Sequence, residues 1–172
     1  KEVFFDEMAN FLKPFPESKP LISLLTDIKK RSKVIPLGID ITLLNRHKQE
    51  SSVRPTVLWN HRWEHDKNPE VFFNTLIELR REGVAFDLIV CGGQYAQQPA
   101  IFNEAKKQLH KHITHWGYFD SRSDYIQALW KSTVLPVTSN QEFFGLSVME
   151  ALYCGAQPLL PDRLAYADIY GD

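Results

Sequence analysis

Glu142 and Glu150 stand eight positions apart, with Phe144 and Gly145 between them and Ala151 directly after. Gly145 is expected to open a helix. The apolar residues at 146, 148, 149, 151 and 152 fill one face of it, and Gly155 is a suitable closing C′ residue. A helix N-terminus carries bare amides and a partial positive charge, so it suits a phosphate. The amides of Gly145 and Leu146 would be the first ones available. Glu142 would stand at the mouth of that anion site. Glu150 would point from the helix toward neutral hydroxyls of the same ligand, since a carboxylate accepts the two hydrogen bonds of a vicinal diol. The plainer reading is an amphipathic helix after a buried strand, carrying two solvated glutamates.

A second segment adds two cations. Thr56-Val57-Leu58-Trp59-Asn60-His61-Arg62 reads as a buried strand running into a loop. Asn68 and Pro69 then suit the N-cap and first residue of a helix. Arg62 and Lys67 therefore sit at the carboxyl end of a strand, where ligands bind in open α/β sheets. Two cations there suit a diphosphate that gains charge as a bond to it breaks. Either residue alone would read as a surface charge.

Together these segments resemble the donor-sugar signature of glycosyltransferase family 4, whose members have the two-Rossmann-domain GT-B fold. Glu142, Phe144, Gly145, Glu150, Ala151, Gly155 and Pro158 match its pattern, and Arg62 and Lys67 match its Arg…Lys pair. Phe143 and His61 stand where many members have glycine. The resemblance implies that Arg62 and Lys67 clamp the pyrophosphate, Glu142 contacts sugar hydroxyls, and Glu150 contacts the ribose. It also implies retaining chemistry without a protein general base, and no metal, because cations and helix amides take its place. The stretches Leu58–Glu70 and Leu160–Tyr166 look like the tRNA-queuosine mannosyltransferase family. That implies GDP-mannose as donor, queuosine in a tRNA anticodon as acceptor, and a cytoplasmic location. Residue spacing by itself identifies neither mannose nor guanine nor queuosine. Three alternatives stay open: a family 4 enzyme using a UDP-sugar on a glycan or lipid, a GT-B relative of different chemistry such as a sugar-nucleotide epimerase or phosphorylase, and a non-catalytic nucleotide-binding module.

These residues need a scaffold, and the rest of the chain reads as one. Strands at 56–61, 86–91, 113–116, 133–138 and 157–160 alternate with helices at 68–82, 98–111, 122–131 and 145–154. Such alternation argues an α/β, Rossmann-like parallel sheet flanked by helices, the C-terminal lobe of a GT-B enzyme by the resemblance. Two further helices are expected at 1–13 and about 20–31, and the polar residues 44–54 read as a linker. Residues 1–33 are expected to be the end of an N-terminal acceptor domain or its linker helices, and 34–172 the nucleotide-sugar-binding domain, truncated at its C-terminus. As a fragment lacking the other lobe, the chain is expected to bind donor but not to turn over. Contacts to tRNA would come mainly from that missing lobe.

Several lesser features remain. Gly92-Gly93 after a strand either approaches the ligand or makes a plain tight turn. Gly117 and Tyr118 lie at the same sheet edge, near where the resemblance puts nucleobase contacts, and Trp116 reads equally as core. His110, His112 and His115 straddle a helix end and a strand, a spacing that does not force convergence on a metal.

The 172 residues are 44% hydrophobic and 24% charged, with a net charge of −1. That is enough chain for one full core and gives no global basic footprint for nucleic acid. Lys29-Lys30-Arg31-Ser32-Lys33 and Lys106, Lys107 and Lys111 read first as solvated faces and second as RNA contacts. Cys91 and Cys154 read as small buried hydrophobes in a reducing compartment. No run reaches transmembrane length.

Overall fold

The computed structural model describes residues 1–35, 37–50, 52–94, 97–163 and Tyr166. The chain divides into two compact units, Lys1–Gly38 and Ile39–Asp172. In the first, α1 (Glu2–Leu12) and α2 (Ser18–Arg31) form a helical hairpin. Lys29 of α2 pairs with Glu2 and Asp6 of α1.

The second unit is a five-stranded, wholly parallel sheet in the order β3-β2-β1-β4-β5. Its strands are β1 (Thr56–Trp59), β2 (Asp87–Val90), β3 (Ile113–Trp116), β4 (Val134–Pro136) and β5 (Gln157–Leu159). Between them run α4 (Pro69–Arg81), α5 (Ile101–Gln108), α6 (Arg122–Lys131) and α7 (Leu146–Tyr153). This is the expected α/β, Rossmann-like sheet. The reading of 44–54 as a linker needs one correction, because α3 (Ile41–Arg46) extends into it. Asp40 caps α3 by accepting the Leu43 amide at 2.9 Å, and Leu44 is buried. A six-residue helix with so little apolar periodicity leaves a weak trace in sequence.

Period-two alternation explains why all four residues of β1 are buried. Leu58 faces one layer of the core, with Ile89, Ile126, Leu129, Leu135 and Val148. Val57 and Trp59 face the other, with Phe72, Phe73, Leu88, Val90 and Phe102. Trp59 lies within 6 Å, ring centre to ring centre, of Phe72, Phe73 and Phe102. Burying side chains of this size stabilises by roughly 1.5–3 kcal/mol each. The central strand is thus held from both faces, and its carboxyl end is a rigid platform.

The strand order places the next feature. From β1 the chain winds outward through β2 to β3, then crosses to β4 and β5 on the other side of β1. The sheet therefore reverses between β1 and β4. Loops leaving those two strands diverge at their carboxyl ends and open a crevice, the place where doubly wound sheets bind ligands.

Candidate active site at the sheet reversal

Backbone geometry fixes the loop after β1. The Trp59 indole donates to the His61 carbonyl at 3.0 Å, and the Trp63 amide donates to the Gly93 carbonyl at 2.9 Å. Gly92 passes so close that a Cβ there would lie 2.1 Å from the His61 carbonyl oxygen, at φ +117°. Only glycine fits, because two backbones cross. Gly92 and Gly93 thus lock the exits of β1 and β2 together, and Gly92 also lines the adjoining cavity.

A 3₁₀ turn at His65–Lys67 follows, and Pro69 occupies the first position of α4 as expected. Asn68 takes the N-cap position in the left-handed region (φ 52°), but its side chain caps nothing. The turn's work is to bury Lys67, which is 6% exposed. The Lys67 ammonium donates to the Gln141 carbonyl at 2.6 Å and meets Glu142 Oε2 at 3.4 Å and Asp66 Oδ2 at 3.2 Å. Two more bonds clamp the β4 exit loop to this turn. Thr138 Oγ1 donates to the Lys67 carbonyl at 2.8 Å, and the Asn140 amide to the Asp66 carbonyl at 2.7 Å. Arg163 adds a third brace through the Ser139 carbonyl and Asn140 Oδ1. That residue lies in the Leu160–Tyr166 stretch, of which Leu164 and Ala165 fall outside the described residues.

Glu142 is held more closely than its sequence position suggests. Its Oε1 accepts the amides of Phe143, Phe144 and Gly145 at 3.0, 3.3 and 3.1 Å. Burial pushes its carboxyl up, but Lys67 and the three amides outweigh that, and it sits below its ordinary value. The amide of Gly145, expected to be bare, is therefore taken by Glu142. The free amides of the helix start at Leu146, since Met149 donates back to Gly145 at 3.0 Å. Gly145 itself adopts φ +78° to turn the chain into α7. Phe143 is fully exposed, and Phe144 is half-buried.

Glu150 lies on the second turn of α7 and is 6% exposed. Its partner is Arg122, the first residue of α6, whose guanidinium pairs with Glu150 Oε1 and sits 5.0 Å from the Tyr125 ring centre. Arg122 had no sequence signal. It belongs to no motif, and only the crossing of α6 and α7 brings it to the carboxylate. Asn60 ties the β1 exit to α7 by donating to the Ser147 carbonyl at 2.8 Å. Beside it, Asn60, Cys91, Gly92, Tyr118, Phe119, Asp120, Arg122 and Tyr125 line a cavity of about 280 Å³. Tyr118 stands at its rim, two-thirds exposed, and Gly117 is fixed by donating its amide to the Val90 carbonyl at 2.9 Å.

Arg62 is the outlying cation. It is exposed and forks onto Glu64, at 3.2 and 3.1 Å, rather than joining the Lys67 cluster. His61 is a residue that sequence reading marked only as a departure from glycine. Its imidazole is buried, Nε2 has no hydrogen-bond partner among the described residues, and burial together with the nearby Lys67 charge lowers its pKa to about 4. It is a neutral wall of the site at ordinary pH.

Elsewhere, His110, His112 and His115 do not converge. Each ring nitrogen donates to a different carbonyl, those of Lys107, Phe86 and Gly117. Among the described residues no three His, Cys, Asp or Glu side chains are grouped to hold a metal ion. Cys91 and Cys154 are buried free thiols, both pushed up to about 12 by burial. Among the described residues no helix is long and apolar enough to cross a membrane.

Taken as chemistry, the crevice offers a buried ammonium, an exposed guanidinium, free helix amides and two fixed carboxylates beside a half-open cavity. Cations and amides can hold a polyanion, and the carboxylates can accept hydrogen bonds from hydroxyls.

Known proteins carry the same scaffold. A tRNA-queuosine alpha-mannosyltransferase of Drosophila melanogaster is 35% identical over 114 residues, which is 66% of this chain and 30% of that protein. The chain therefore spans about a third of that relative's length. The C-terminal domain of a glycosyl transferase group 1 family protein (LpcC) from Francisella tularensis superimposes with a TM-score of 0.55 at 15% identity, over 80% of this chain and 72% of that one. The Alr3699/HepE protein of Anabaena, solved in complex with UDP, does so with a TM-score of 0.53 at 20% identity, over 73% and 37%. Those likenesses establish the GT-B type of Rossmann-like fold. Residues 42–172 match the model of the glycosyl transferases group 1 family, most of the chain, and the chain belongs to that family.

Proposed function

We propose that this chain is the donor-binding part of a retaining glycosyltransferase that moves mannose from GDP-mannose to queuosine in tRNA. The coarser statement, a glycosyltransferase of group 1, follows from the family. The observation that carries the finer one is the 35% identity to a relative bearing that activity in its name. A tRNA acceptor also favours the cytoplasm.

In this reading the diphosphate lies across the crevice between Lys67, Arg62 and the amide of Leu146. The Lys67 ammonium already donates to the Gln141 carbonyl and the Glu142 carboxylate and is ion-paired with Asp66. A phosphate oxygen would take over one carboxylate bond, while Arg62 would swing from Glu64. As the sugar–phosphate bond breaks, charge grows on the diphosphate, and cations already fixed in place lower the barrier most. No metal is called for where two cations and helix amides supply that charge. Glu142 Oε2, now bonded to Lys67, would turn to a sugar hydroxyl once a phosphate oxygen takes its place on the ammonium, and Glu150 would offer its second oxygen to the ribose. Both position the donor rather than transfer protons. Gly92, Gly93, Gly117, Tyr118 and Phe144 would frame the nucleoside and sugar.

Calorimetric titration with GDP and UDP tests the donor site, with Arg62→Ala as control because its exposed side chain carries little of the fold. GDP binding that weakens in the variant is expected. Binding indifferent to Arg62 would remove it from the diphosphate site. For the acceptor, the full-length protein is expected to transfer mannose from GDP-mannose to tRNA containing queuosine, and transfer to a glycan or lipid instead would overturn that part.

A further inference from the structure

The cavity beside Glu150 is lined on several sides by polar groups with unused capacity. Arg122 has five N–H donors in a planar fork, and among the described residues its only hydrogen-bond partner is Glu150. The guanidinium is tethered at that one corner and steadied over the Tyr125 ring, while remaining half-exposed where it lines the cavity. Asn60 Oδ1 is buried without a hydrogen-bond partner among the described residues, and Asp120 lines the same space. The cavity thus combines a planar donor fork with acceptors, within a volume of about 280 Å³.

We propose that Arg122 is the residue that selects the donor's nucleobase, its free N–H groups reading the O6/N7 edge of guanine while Asn60 and Asp120 accept from the adjoining N1–H and N2–H₂ edge. This rests on the nucleotide-sugar reading above and deepens it. Guanine presents adjacent O6 and N7 acceptors, the pair that an arginine fork meets with two bonds. It also carries N1–H and N2–H₂ donors, which suit the acceptors. Uracil has no such adjacent acceptor pair and a single ring N–H donor. Adenine puts an amino donor where guanine has O6, so it would set N–H against N–H. The tether to Glu150 keeps the fork in plane and ties base reading to ribose binding.

Calorimetric titration with GDP, UDP and ADP tests this in the wild type, in Arg122→Lys and in Arg122→Met. Lysine keeps the charge beside Glu150 but lacks the fork. The wild type is expected to prefer GDP, and both substitutions to cost GDP about ten-fold or more while UDP changes far less. Because methionine leaves Glu150 without its cation, R122M/E150Q is measured alongside, with thermal melting to check its fold. It is expected to discriminate no better than R122M. Equal losses for GDP and UDP would reduce Arg122 to a support for Glu150 and overturn the proposal, leaving the nucleotide reading standing. So would a wild type preferring UDP or ADP, or variants that keep the GDP preference. A wild type that binds none of the three overturns both readings.

Discussion

Glu142 and Glu150 come from one short segment, yet the fold uses them differently. Glu142 is gripped by three backbone amides and the Lys67 ammonium. Glu150 is the more buried residue but has, among the described residues, one side-chain partner, the half-exposed Arg122. A carboxylate held mainly by backbone is part of the scaffold, because losing its charge loosens the loop it organises. One held at a single corner keeps lone pairs for a ligand. The difference traces to where each sits: Glu142 just ahead of the helix, within reach of its own following amides, and Glu150 inside the helix, where every nearby amide is already bonded.

Removing Lys67 should break that contrast most severely. Lys67→Met leaves Asp66, Glu142 and the Gln141 carbonyl facing one another without a cation. Stranding partners of a buried ion pair costs about 3 kcal/mol or more. Denaturant unfolding should register that loss, and a midpoint equal to wild type would mean that the cluster contributes no stability.

Acid should act next, and first through His61. Its folded pKa of about 4 lies below the ordinary 6.5, so the unfolded chain takes up the proton first as pH falls. More protons bound in the unfolded state mean that stability rises with pH. Stability should therefore decline from about pH 6.5 down to about pH 4, by about 3 kcal/mol in all. Glu142, also depressed, adds its own loss only as pH drops below about 4.5. His61→Gln should flatten the upper window and leave the lower one, as read by denaturant midpoints across pH. A slope that persists unchanged above pH 5 in that variant would assign it to another group.

How much of this could be read in the sequence depends on whether the cause was local. β1 and β2 were legible because continuous apolar runs mark central parallel strands, and Pro69 marked the start of α4. Glu142, Lys67 and Glu150 were legible as residues, since their spacing follows the strand and helix that carry them. Their partners were not. Arg122 reaches Glu150 across 28 positions, and Gln141 and Glu142 reach Lys67 across 74 and 75. Such pairings arise from the crossing of elements, which periodicity does not encode. Gly92 shows the same limit: its neighbour His61 is far away in sequence, so a turn and a ligand contact looked alike until the two backbones were seen to cross.

The smallest expected effects separate the two glutamates most sharply. Glutamine keeps the size and one acceptor oxygen of glutamate but removes the charge. At position 142 that weakens charge-assisted bonds from three amides and an ammonium, and Glu142→Gln should lose about 1–2 kcal/mol of stability. GDP, which lacks the transferred hexose, should bind Glu142→Gln nearly as well as wild type. At position 150 the balance reverses. Neutralising a buried carboxylate relieves its desolvation, and the partner Arg122 is exposed enough to be solvated, so stability should move by less than about 1 kcal/mol. GDP affinity should nevertheless fall, because a neutral amide accepts ribose hydroxyls more weakly than a carboxylate. Parallel melting curves and GDP titrations of the two variants read this exchange of effects directly. If both variants lost stability and affinity alike, scaffold and ligand roles would be shared between the two carboxylates, and the distinction drawn from their partners would fail.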